Sequence, residues 1–155
     1  MIFDTSPSQS ANWIRTSSAL AGLAAIILIQ SEAANAQTVP NLVGTWKGSA
    51  QAVFLGSNPY RPNRNAGANY SPDVREFTFV IKEQNDNRFS GESTDGKRTE
   101  KLIGGISPDN KSGIVLDDDG QYVFTIRDND TLDSCYSHSN AKSKVVSCYG
   151  WKRQK

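Results

Sequence analysis

The chain has 155 residues, with 17 basic against 16 acidic side chains and a formal net charge of +1. That length excludes two ordinary domains beside a leader. The near-neutral balance argues against nucleic acid or an anionic membrane surface as partner.

The first predicted element is a leader. Residues 19–29, Ala-Leu-Ala-Gly-Leu-Ala-Ala-Ile-Ile-Leu-Ile, form an uncharged run of 11 residues. A bilayer span takes about 20. The run matches the apolar core of a secretory leader, with Arg15 before it and the small-x-small pattern Ala34-Asn35-Ala36 after it. Cleavage is expected between Ala36 and Gln37. Residues 1–36 are then a signal peptide and residues 37–155 a single β-barrel domain. The other readings of the run are a buried core helix or an uncleaved anchor. The mature chain is expected to be periplasmic or secreted, with no integral membrane segment after cleavage and a bacterial source favoured. It keeps 16 basic and 14 acidic residues, so its balance stays near neutral.

After Gln37 no segment sustains a 3.6-residue apolar period. Runs rich in Val, Ile, Thr, Phe and Tyr recur instead, separated by Asn, Asp, Gly and Pro. Eight strands are predicted. The first covers residues 43–54, with Gly44, Trp46, Gly48, Ala50, Ala52 and Phe54 on one face. The second covers residues 74–84, where Phe77, Phe79 and Ile81 alternate with Thr78, Val80 and Lys82. Asn85-Asp86-Asn87 turns the chain into the third, residues 88–94. Asp95-Gly96, a strong hairpin signal, leads to the fourth, residues 98–107. Pro108-Asp109-Asn110 leads to the fifth, residues 111–116, and Asp117-Asp118-Asp119-Gly120 to the sixth, residues 121–127. Asp128-Asn129-Asp130 leads to the seventh, residues 131–137. A Ser/Asn/Lys loop precedes the last, residues 144–153.

Turns this short join only antiparallel neighbours. The simplest topology is an eight-stranded antiparallel up-and-down barrel, because closure removes exposed sheet edges. A two-sheet β-sandwich is the alternative. In an oxidising compartment the two cysteines, Cys135 and Cys148, are expected to pair. Their pairing sets Tyr136 opposite Ser147 and Ser137 opposite Val146, with the hairpin turn near Ala141-Lys142. One connection is long. Residues 55–73 carry Tyr60, Arg61, Arg64 and Tyr70, and a loop of that length is often functional.

Gly44-Thr45-Trp46 resembles the Gly-x-Trp opening of calycin barrels, the group that contains lipocalins and avidins. Arg88-Phe89-Ser90-Gly91-Glu92-Ser93-Thr94 is similar to the Phe-x-Gly third strand of avidin-like proteins. Trp151-Lys152-Arg153 is similar to the way such barrels close, with a basic side chain near the first-strand Trp. The chain is also similar to small exported proteins of proteobacteria. The resemblance implies a barrel of calycin type. It does not carry biotin over, since only Trp46 and Trp151 remain after the leader, and the C-terminal helix of lipocalins is missing.

Little in the sequence points to catalysis, a cofactor or a metal, and the chain is expected not to be an enzyme. His138 sits near the tip of the last hairpin beside Asp133, Ser134, Ser137 and Ser139, which read as solvated turn residues. Asp117-Asp118-Asp119-Gly120 is contiguous, unlike the spaced carboxylates of a calcium loop, and reads as an acidic hairpin turn. Glu83, Glu92 and Glu100 read as mostly outward surface charge. Trp46 is a core residue or a ring for ligand stacking. The expected function is that of an exported binding barrel for a small apolar or amphiphilic ligand. The 55–73 loop would be its lid, and Tyr60, Arg61, Arg64, Tyr70 and Trp46 the contact residues. The alternative is a protein-binding module, a hydrolase inhibitor or a host-facing surface factor, that uses the same loop.

Overall fold

The computed structural model describes residues 38–57, 60 and 66–155. The expected leader, with its cleavage site, and Arg61 and Arg64 lie outside these residues. The strands are β1 (Gly44–Ala50), β2 (Val53–Gly56), β3 (Asn69–Tyr70), β4 (Arg75–Asn85) and β5 (Arg88–Thr94). They continue with β6 (Thr99–Ile106), β7 (Ser112–Leu116), β8 (Gln121–Asp128), β9 (Thr131–Ser139) and β10 (Ser143–Arg153). Among the described residues, no helix is long and apolar enough to cross a membrane.

All neighbours are antiparallel, and β1 pairs with both β4 and β10, which closes the sheet. Gly48 faces Trp151 and Val53 faces Val146, so β1 and β2 follow β10 in one unbroken register. They are two halves of the predicted first strand. On the other side, Ala50 faces Arg75 while Val53 faces Tyr70, which leaves β3 and β4 with two extra residues. Ser71 bridges this break: its N–H donates to the Ala52 carbonyl and its Oγ accepts from the Ala52 N–H. Counted this way the barrel has eight strands in up-and-down order, and the sandwich alternative falls. The long connection shortens, because Leu55 and Gly56 extend β2 and Asn69 and Tyr70 pair with it.

The disulfide joins Cys135 to Cys148, directly opposite each other on β9 and β10. Tyr136 faces Ser147 and Ser137 faces Val146, as expected, and the turn falls at residues 140–142. Both cysteines sit on the exposed outer face.

One end of the barrel is plugged. Residues 38–43 cross it, with the Leu42 N–H donating to Gln84 Oε1 and the Trp46 Nε1 donating to the Leu42 carbonyl. Arg153 is the basic side chain beside the first-strand Trp. Its guanidinium lies 4.1 Å from the Trp46 ring and donates to the carbonyls of Val43, Asn41 and Asn129. Above this layer Phe79 stacks on Trp151 at 3.7 Å, with Tyr122 edge-on to both. Edge-to-face rings such as Tyr122 against Phe79 and Trp151 add stabilisation beyond the apolar area they bury.

Inward glycines make room for the rings. A Cβ on Gly104 would clash with the tip of the Phe89 ring, one on Gly113 with Phe124, and one on Gly48 with Tyr149. Small and large residues alternate around the interior, so this half of the barrel is filled by its own side chains.

Candidate functional site

The interior is left partly open at the other end. A cavity of about 50 Å³ lies there, lined by Ala50, Ala52, Phe77, Tyr122, Tyr136, Val145 and Tyr149 together with the polar groups Tyr60, Arg75, Glu100, Asp117, His138 and Ser147. Ligand pockets for drug-sized molecules measure about 300–1,000 Å³. The cavity admits a small group, and the rings fill the rest of the interior.

The cavity has two unlike walls, and strand order explains them. β10, β1, β2 and β4 are neighbours around the barrel. These strands and the β1–β2 junction contribute Val145, Tyr149, Ala50, Ala52 and Phe77, a mainly apolar side that also carries Ser147 and Arg75. Across from them β6, the β7–β8 turn and β9 contribute Glu100, Asp117, Tyr136 and His138. The oxygen atoms of Glu100, Asp117 and Asp119 lie within 4.8 Å of one another. Among the described residues, no Lys or Arg makes an ion pair with any of the three.

These carboxylates crowd together in a half-buried place. Burial raises the Glu100 carboxyl, and Asp117, Asp119 and Asp118 raise it further against the opposing hydrogen bond from Tyr60. Burial likewise raises Asp117, with Asp119 and Asp118 adding to it and the Gly120 N–H opposing it. The nearby phenols respond in the same sense. Burial raises Tyr136, followed by its hydrogen bond to Asp119 and the charge of Asp117. Burial raises Tyr122, followed by Tyr149 and Asp117.

His138 is buried, 8% exposed, and faces inward. Ser134, 5% exposed, is buried as well, which corrects the expectation that the serines beside His138 are all solvated turn residues. His138 Nδ1 lies 3.0 Å from the Tyr136 hydroxyl, which lies 2.6 Å from Asp119 Oδ1. The hydroxyl proton goes to the carboxylate, so the hydroxyl accepts from Nδ1–H. Nε2 is then the acceptor for the Ser143 hydroxyl, 2.7 Å away. The chain Ser143–His138–Tyr136–Asp119 therefore sets the imidazole tautomer and holds Tyr136 against the cavity.

Tyr60, from the long connection, covers the opening. Its hydroxyl donates to Glu100 Oε1 at 2.5 Å and its ring meets Phe77 edge-on at 5.9 Å. Burial, and then the hydrogen bond and charge of Glu100, raise its phenol. Arg75 Nη2 donates to the Tyr60 carbonyl, while Nη1 pairs with Asp95 at 2.7 Å. Burial acts to raise the Asp95 carboxyl. The N–H groups of Lys97 and Arg98 and the Arg75 guanidinium outweigh it and hold the carboxyl below the ordinary carboxylate range.

These opposite shifts set a pH dependence. An acid held low in the fold stabilises it above its unfolded value, and that contribution is lost as pH falls through the folded value. Asp95 therefore acts below about pH 4. Glu100 and Asp117 are held high, so the fold binds their protons more tightly, and stability rises as pH falls from neutrality towards their titration. The melting temperature should peak on the acid side of neutral. Thermal scans should show the neutral limb flattened in Glu100→Gln and the acid limb flattened in Asp95→Asn. Identical profiles in wild type and both variants would refute this assignment.

Of the residues singled out from sequence, Tyr60 is at the cavity. Tyr70 is 79% exposed on the outside, and Trp46 lies in the plugged end under Arg153. Arg61 and Arg64 are not described. Glu100 faces inward rather than outward, whereas Glu83 meets Ser90 and Glu92 pairs with Lys82 on the outside. Phe77, Asp117, Tyr122, Tyr136, His138 and Tyr149 were not foreseen as a group. The parity of their strands was the available signal.

No protein-family model and no curated protein matches the chain. Among solved structures, the S-type phycobiliprotein lyase CPES from Guillardia theta is similar, with a TM-score of 0.36 and 8% identity. The alignment covers 74% of this chain and 89% of that one. That neighbour is a lyase, an enzyme, which runs against the expectation that this chain is not one, and that expectation is not carried further. A likeness this distant assigns neither an activity nor a ligand to this chain.

Proposed function

We propose that the chain is an exported binding protein of calycin type that holds one end of a small amphiphilic molecule in the mouth of its barrel. The observation that carries this reading is the two-walled cavity covered by Tyr60. A barrel whose closed half is packed with rings leaves room at the other end, and there it sets a mainly apolar side against an acidic one. The size of the cavity means that a terminal group enters while the rest of the ligand lies towards the 55–73 segment, which acts as the lid. The disulfide and the leader-like sequence support the periplasm or the extracellular space as its location.

Native mass spectrometry of the protein recovered from its own compartment tests this. A co-purifying small molecule, lost in Tyr60→Ala, is the expected result. A clean apo mass for both proteins would count decisively against the reading. The second reading, a protein-binding module, is favoured by Tyr70, which stands exposed at the foot of the same segment. Tyr70→Ser separates the two, since it spares a ligand inside the barrel and weakens a partner held outside.

A further inference from the structure

We propose that the group the mouth cavity takes is an organic ammonium, with its charge against Glu100 and Asp117 and its carbon chain against Phe77 and Val145. The inference rests on the binding-barrel reading above and adds the chemical class of the ligand.

Three observations converge on it. The first is the enclosure. Tyr60, Phe77, Tyr122, Tyr136 and Tyr149 all line the cavity, and electron-rich ring faces attract ammonium groups most strongly where water is excluded. The second is charge. Glu100 and Asp117 face the cavity, Asp119 stands beside them, and none has an ion-pair partner from Lys or Arg among the described residues. The cationic side chain in the lining, Arg75, is held by Asp95 and the Tyr60 carbonyl. Among the described residues His138 Nδ1, 3.8 Å from Asp119, is the nearest basic group to these carboxylates, so a bound anion would meet their charge, whereas a bound cation would relieve it. The third is size. A cavity of about 50 Å³ has room for a few water-sized groups, enough for an ammonium head and one or two carbons.

A bare divalent ion fits less well. Calcium takes six to eight oxygens. Here Glu100 Oε1 already accepts from Tyr60, Asp119 Oδ1 from Tyr136, and Asp117 Oδ1 from the Gly120 N–H. Beside alanine, valine and phenylalanine, the facing side offers only the Ser147 and Tyr149 hydroxyls and the cationic Arg75, too few oxygens to complete such a shell. An ammonium needs fewer contacts and uses the apolar wall for its carbon chain. The raised carboxyls of Glu100 and Asp117 are consistent with a site whose negative charge finds no Lys or Arg counterion among the described residues.

The test is titration of the folded protein at constant ionic strength with n-butylammonium, 1-butanol and butyrate. Tyrosine fluorescence and calorimetry are the readouts. n-Butylammonium should bind at least tenfold more tightly than either isostere, and Glu100→Gln should remove most of that preference. Asp117→Asn serves as a second variant should Glu100→Gln fail to fold, as judged by its near-ultraviolet dichroism. Equal binding of butanol and butylammonium, or preference for butyrate, would overturn the ammonium assignment while the binding cavity stands. Preference for calcium over butylammonium would overturn it as well. If none of the probes binds and native mass spectrometry still finds a co-purifying molecule, the ammonium assignment alone fails. If none binds and the protein is clean, both readings fail.

Discussion

Phe79→Ala is expected to destabilise the domain by about 3–5 kcal/mol, the range for emptying a buried aromatic site. The ring is 0% exposed, stacks on Trp151 at 3.7 Å and meets Tyr122 edge-on. Its removal opens a cavity in a closed barrel, where the surrounding strands are tied to neighbours on both sides and cannot collapse inward. For a domain of this size the melting temperature should fall by roughly 10–20 °C. Val123→Ala, on the exposed outer face, should cost under about 1 kcal/mol by comparison. Urea unfolding of the two variants measures the difference. A Phe79→Ala loss no larger than that of Val123→Ala would mean that the ring stack is not the centre of the core.

The second large effect concerns the staple. The double variant Cys135→Ser/Cys148→Ser should lose about 3 kcal/mol in the chain-entropy account, the figure for closing a loop of this order. The sequence separation is 13 residues. Both cysteines lie on the outer face, so their replacement leaves no internal cavity, and the loss comes from the freed unfolded chain. Wild type treated with a reductant should therefore match the double variant in unfolding midpoint. A reduced wild type as stable as the oxidised one would show that the strand pairing alone holds this hairpin.

The strands were legible because period-2 alternation and turn chemistry are local properties. Phe77, Phe79 and Ile81 do share the inner face of β4, and Asp95-Gly96 does turn between β5 and β6, with Gly96 at positive φ. The hairpin register of Cys135 and Cys148 followed from one covalent bond. Local signals failed where two apolar neighbours compete for the interior. Leu102 and Ile103 are adjacent, and so are Ile114, Val115 and Leu116. A shift of one residue reverses every side chain on a strand. Leu102 and Val115 are the buried ones, and that choice turns Glu100 and Asp117 into the cavity. Bulges between Ile81 and Glu83 and between Ile126 and Asp128 shift the parity again.

By itself, the sequence determined an antiparallel β domain, its strand count, most of its turns and its disulfide, since each depends on residues within a hairpin of one another. Only the tertiary structure decided that the barrel is filled at one end and open at the other. That outcome depends on which side chains meet after closure, when β1 pairs with β4 and β10 at once. Trp46 meets Arg153 across 107 positions of sequence, and Tyr60 meets Glu100 across 40. No local pattern encodes such meetings, and the contact of Tyr60 with Glu100 in the candidate site is one of them.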